Sequence, residues 1–64
     1  MKYFTIEKDG KEIARCEGYD TSINGMNAII HDNVPCSIIF YDDGKVYNRM
    51  RCDGKNLDNE EYEQ

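Results

Sequence analysis

Three cysteines and a single histidine (Cys16, Cys36, Cys52 and His31) are the residues of this 64-residue chain whose types suit metal binding or covalent chemistry. Together they have the ligand types of a Cys3His zinc site, and zinc would steady a domain this small. Such sites usually draw on a turn that presents two thiolates two to four residues apart, and no cysteine pair here has that spacing. Cys36 lies nearest His31 in sequence, but on the other side of Pro35. The plainer role of each cysteine is that of a small apolar filler. The same residues allow a thiol–imidazole dyad on paper. His31, however, falls near the end of an expected helix, where a cation interacts favourably with open carbonyls. Carboxylates are plentiful, yet none sits in an apolar stretch that would raise its pKa for acid catalysis. Gly18-Tyr19-Asp20 and Asn24-Gly25 match neither nucleotide-binding glycine motif. No enzyme activity, cofactor or metal is expected, and a small thiol or zinc protein is kept as an alternative.

A second constellation lies further along. Lys45, Tyr47, Arg49 and Arg51 alternate, so in a strand they would project from one face. Tyrosine flanked by arginine on a sheet is how some single-strand binders stack bases. Against that stands a net charge of −5, with 13 Asp and Glu against 8 Lys and Arg, because phosphate contacts need a basic footprint. A solvated edge strand that resists edge-to-edge pairing is the simpler reading.

The elements that must hold these residues are marked by turns. Asp9-Gly10 and Asp43-Gly44 each separate segments of strand-like composition, and Asp-Gly is a strong hairpin signal because tight turns need φ > 0. The first hairpin is expected over residues 2–8 and 11–19, the second over 36–42 and 45–52. Between them, Thr21 or Ser22 can cap a helix, and Ile23, Met26, Ile29 and Ile30 form one apolar stripe. Pro35 forces Val34 towards extended backbone, so the helix should stop near Asp32 or Asn33. Gly25 weakens it by about 1 kcal/mol relative to Ala. The expected fold is α+β, a small ββαββ domain: a four-stranded antiparallel sheet with one short helix packed on one face. Strand order is not readable from the sequence.

Register of the second hairpin decides which side chains share a face. A two-residue turn would set Tyr41 opposite Val46 with Ile39 and Met50 on that face, leaving Ile38, Phe40 and Tyr47 on the other. A three-residue loop would group Ile39, Tyr41 and Tyr47. Either register leaves apolar side chains on both faces, and one helix covers only one. Exposed apolar patches beyond a few hundred Å² are rare on monomers, so self-association is expected, with a two-fold dimer the first choice. The candidate interface residues are Ile38, Phe40, Tyr41, Tyr47, Arg49 and Arg51.

Composition supports a folded core, with 39% apolar residues, seven aromatics among them, and Ile outnumbering Leu and Ala. No stretch resembles a signal peptide or a membrane helix, and three cysteines, an odd number, argue against a disulfide framework. The expectation is a cytoplasmic protein with reduced thiols and no membrane partner. Residues 1–52 form the domain, and 53–64 read as a mobile acidic tail carrying Asp58, Glu60, Glu61 and Glu63. That tail holds five acids and one Lys, so −4 of the −5 belongs to it and the body is near neutral at −1.

The run Gly10-Lys11-Glu12-Ile13-Ala14-Arg15-Cys16-Glu17-Gly18-Tyr19-Asp20-Thr21, followed by Ile29 ten residues after Tyr19, is similar to the YegP-like family of small ββα repeat domains. The resemblance implies the strand-turn-strand-helix topology and transfers no site residue. The functional expectation is a non-enzymatic protein–protein interaction module that self-associates and binds an unidentified macromolecular partner. Its most specific form is a phage or mobile-element inhibitor of a bacterial defence system. A single-stranded nucleic-acid binder using Tyr47, Arg49 and Arg51 is the alternative, and nucleic acid is the less favoured partner.

Overall fold

A computed structural model describes residues 1–53, so the calls on Asp58, Glu60, Glu61 and Glu63 lie outside the described residues. The chain runs β1 (Lys2–Lys8), β2 (Lys11–Glu17), α1 (Met26–Asn33), β3 (Cys36–Asp42) and β4 (Lys45–Cys52). These strands make one antiparallel sheet in the order β2-β1-β3-β4. The ββαββ domain is therefore α+β, and β1 and β3, the first strands of the two hairpins, meet at the centre.

Both Asp-Gly pairs form two-residue turns, with φ of 54° and 80° at Asp9 and Gly10 and of 54° and 83° at Asp43 and Gly44. Positive φ at both central residues gives the turn whose twist matches that of the flanking strands. Each hairpin then carries a bulge after the same number of pairs. Glu7 pairs with Glu12 but Ile6 with Ala14, leaving Ile13 as the extra residue. Likewise Tyr41 pairs with Val46 but Phe40 with Asn48, leaving Tyr47 extra. The likeness of the two hairpins thus extends beyond their turns.

One face of the sheet is closed by α1. Met26 and Ile30 descend from the helix onto Phe4, Ile6, Cys16, Cys36, Ile38 and Cys52, which form one buried cluster. Helix α1 is shorter than its apolar stripe suggests. Asn24 and Gly25 both adopt left-handed backbone, φ 58° and 72°, and this breaks the chain into a 3-10 turn at Ile23–Gly25 followed by α1. Ile23 is exposed as a result, and neither Thr21 nor Ser22 caps α1, whose N-cap is Gly25. Ser22 instead donates its N–H and its hydroxyl to the Asp20 carboxylate, at 2.9 and 2.6 Å. These bonds hold the Asp20 carboxyl below its usual pKa.

The C-terminal end falls where the proline places it. Asn33 closes the helix and Val34 is extended. Lys8 reaches across from the first turn to donate to the Asn33 and Pro35 carbonyls, at 2.9 and 3.2 Å. Helix ends leave such carbonyls open, so this one side chain ties the first hairpin to the helix end.

Helix docking rests mainly on Ile30, which is fully enclosed. Ile30→Ala should cost about 2–5 kcal/mol, most of the stability of a domain this size, read as a large fall in the urea midpoint. Ile23→Ala, at an exposed position, should move it by less than about 0.5 kcal/mol.

Candidate interaction surface

The outermost strand β4 is exposed at every position except its last, Cys52. Its ladder with β3 sets which way each side chain points, because paired residues share a face and alternate residues do not. The bulge at Tyr47 changes that alternation. Arg49 and Arg51 pair with Ile39 and Ser37, on the face away from α1. Asn48 and Met50 pair with Phe40 and Ile38, on the helix side.

Tyr47 joins the helix side. Its ring stacks on Tyr19 at 5.8 Å between centroids, Tyr19 meets Phe40 edge-on at 5.1 Å, and Phe40 leans on Phe4 at 5.9 Å. This aromatic row runs from the core to the sheet edge and ends in a tyrosine that is 69% exposed. Tyr19, from the segment after β2, supports it from below. Its hydroxyl donates to the Tyr41 carbonyl at 2.6 Å, and the Lys2 ammonium lies 5.8 Å from its ring centroid.

The opposite face is built differently. Tyr3 and Tyr41 stack at 4.7 Å and nearly parallel, and the Arg15 guanidinium covers Tyr3 at 4.8 Å while pairing with Glu12. Ile39 and Thr5 are each 1% exposed at the centre of this face, and Thr5 Oγ1 has no hydrogen-bond partner among the described residues.

The six expected interface residues therefore do not share one surface. Ile38 is 1% exposed, enclosed beneath α1 between Ile6 and Met50, so it is core rather than contact. Phe40 is half-buried on the same side and braces Tyr19. Tyr41, Arg49 and Arg51 lie on the far face. Tyr47 is parted from the two arginines, against the simple alternation expected of Lys45, Tyr47, Arg49 and Arg51, because one unpaired residue shifts everything before it by one step. What unites Tyr47, Arg49 and Arg51 is the β4 edge, with Val46 and Met50 exposed beside them. Met50 could have been paired with Tyr47 from sequence only by knowing the bulge, and Tyr19 carried no signal beyond being aromatic.

The edge itself is blunted. The Arg49 N–H donates to its neighbour's Asn48 Oδ1 at 2.9 Å, leaving one fewer donor for an incoming strand. Bulges and charged side chains on an edge act to the same end.

The thiols are free and buried. Burial raises both Cys36 and Cys52, the latter to about 11 with the neighbouring Cys36 and Asp53 contributing, so neither is an activated nucleophile. Among the described residues no group of three or more His, Cys, Asp or Glu side chains could hold a metal ion. No helix among them is long and apolar enough to cross a membrane.

Burial raises the Tyr19 phenol above its ordinary pKa of 10.0, and Asp42 and Tyr47 push the same way. A group raised on folding adds stability that is complete below its unfolded pKa and disappears as pH climbs through the folded one. The chain should therefore lose stability as pH rises above 10.0, a loss absent from Tyr19→Phe. That variant keeps the ring stack but loses the hydrogen bond to the Tyr41 carbonyl, so it should be less stable at neutral pH, as urea unfolding at both pH values would report. Compared with family models, with curated proteins and with solved structures, the chain matches none of them, and the likeness of residues 10–21 to a ββα family rests on those residues alone.

Proposed function

We propose that this chain is a non-enzymatic protein–protein interaction module that uses β4 as its contact strand, both for self-association and for a macromolecular partner. One observation carries the reading. Of the six large apolar side chains left exposed among the described residues, three (Val46, Tyr47 and Met50) sit on β4. Tyr, Met and Arg are the side chains enriched at protein interfaces, and β4 presents all three types within Tyr47–Arg51. Tyr47 has the form of an anchor. It is a large ring, braced by Tyr19 so that little conformational entropy is lost on binding, and it is open on its outer side.

Because the edge is bulged and the Arg49 N–H is occupied, contact is made by side chains around the edge rather than by adding a strand. Charge on the domain body opposes two copies meeting only weakly, since residues 1–52 carry −1 of the chain's −5. Inhibition of a bacterial defence system by covering part of its surface is the narrower form of this proposal. Small size and a net charge of −5 support it.

Light scattering and native mass spectrometry at micromolar concentration should report a dimer. Tyr47→Asp should dissociate it, raising Kd by roughly 30-fold or more, with circular dichroism unchanged because the ring is largely exposed. The same variant should fail to capture any protein that the unaltered chain retains from a host lysate. A chain that is monomeric throughout and whose captured proteins are indifferent to Tyr47 would sink the proposal. Retention on heparin at low salt would favour nucleic acid as the partner instead.

A further inference from the structure

Cys36 opens β3 and Cys52 closes β4, and the ladder sets them directly opposite one another. Paired residues point to the same face, and both side chains enter the same buried cluster under α1. Opposed residues in an antiparallel ladder have Cα atoms about 4.5–5.5 Å apart, within the roughly 4.4–6.8 Å that a disulfide spans. Cys16 is differently placed. It lies on β2, pairs with Phe4, and is separated from β3 by the whole of β1, a gap of roughly 9–10 Å that no disulfide bridges without backbone movement. Of three cysteines, the fold thus selects one pair.

We propose that Cys36 and Cys52 are a dithiol modification site that a small-molecule disulfide converts into a cross-strand disulfide, stapling the end of β4 to the start of β3. This goes beyond the interaction reading and does not depend on it. The two thiols sit at strand ends, where local opening costs least, so an oxidant reaches them without global unfolding. With glutathione disulfide, Cys36 gives up its proton to solvent and its thiolate attacks one glutathione sulfur. The glutathione S–S bond breaks and one glutathione thiolate leaves. Cys52, deprotonated in turn, attacks the Cys36 sulfur of the mixed disulfide and expels the second glutathione. The two cysteines have lost two electrons and two protons, and the oxidant has become two reduced glutathiones.

Cys36 is the attacking group because Lys8 and Arg51 oppose the effect of burial there, whereas Cys36 and Asp53 add to it at Cys52. Both groups rest as thiols, so exchange at neutral pH is slow. Closing the β3–β4 hairpin restrains the unfolded chain more than the native ladder, which already holds the two residues together.

The test equilibrates the full chain in glutathione buffers from reducing to oxidising, quenches with acid, alkylates and maps peptides without reduction. The expected product has lost two hydrogens, links Cys36 to Cys52, and leaves Cys16 alkylated. Its thermal midpoint is raised by roughly 10 °C. Cys16→Ala should give the same product. Serine at either paired position would disturb the core, so the map of the unaltered chain is decisive. Any of four outcomes overturns the proposal: a chain that stays reduced in the most oxidising buffer, or oxidises only in urea; one that carries glutathione alone; a link that includes Cys16; or a midpoint that does not rise.

Discussion

Neither hairpin of this protein has a partner within itself for its inner strand's second edge, and a lone two-stranded hairpin is at best marginal in water. The antiparallel ladder between β1 and β3 removes that problem for both at once. It makes central strands of two edges, places Phe4 beside Phe40 and Ile6 beside Ile38, and so gathers enough apolar surface for an eight-residue helix to dock. A helix as short as α1, entered through two left-handed residues, would not persist without that platform. The whole molecule depends on a pairing between segments far apart in sequence.

The same ladder settles where exposure falls. With β1 and β3 inside, β2 and β4 are the edges, and the two differ in what they show. Among the exposed residues of β2 only Ile13 is a large hydrophobic, the others being charged. Strand β4 shows Val46, Tyr47 and Met50 between its basic residues. In each hairpin the bulge turns out one extra residue, Ile13 or Tyr47. In the second, that residue finds Tyr19 to stack on and becomes a supported ring at the rim of the sheet. An equivalent backbone device thus yields an ordinary exposed Ile on one edge and a braced aromatic on the other.

The cysteines show how the core constrains chemistry. Buried among Ile, Met and Phe, they pack as apolar groups, and desolvation holds Cys36 and Cys52 in the protonated form. What distinguishes two of them is register alone, which sets Cys36 against Cys52 while Cys16 lies beyond β1.

Much of this was legible in the chain itself. Asp9-Gly10 and Asp43-Gly44 determine both hairpins because only residues that accept φ > 0 fill those positions, and Pro35 determines where the helix stops. Local chemistry also located the aromatic and basic residues of β4. It could not locate the helix start, because Asn24 and Gly25 take left-handed conformations that apolar spacing does not encode. Nor could it place Tyr47 and Arg49 on opposite faces or bury Ile38. Those follow from one unpaired residue in the β3–β4 ladder and from which strands lie inside the sheet. A bulge inverts the face of every side chain on one side of it, and strand order arises from packing between distant segments. Neither leaves a periodic mark in the sequence, so only the tertiary structure decided them.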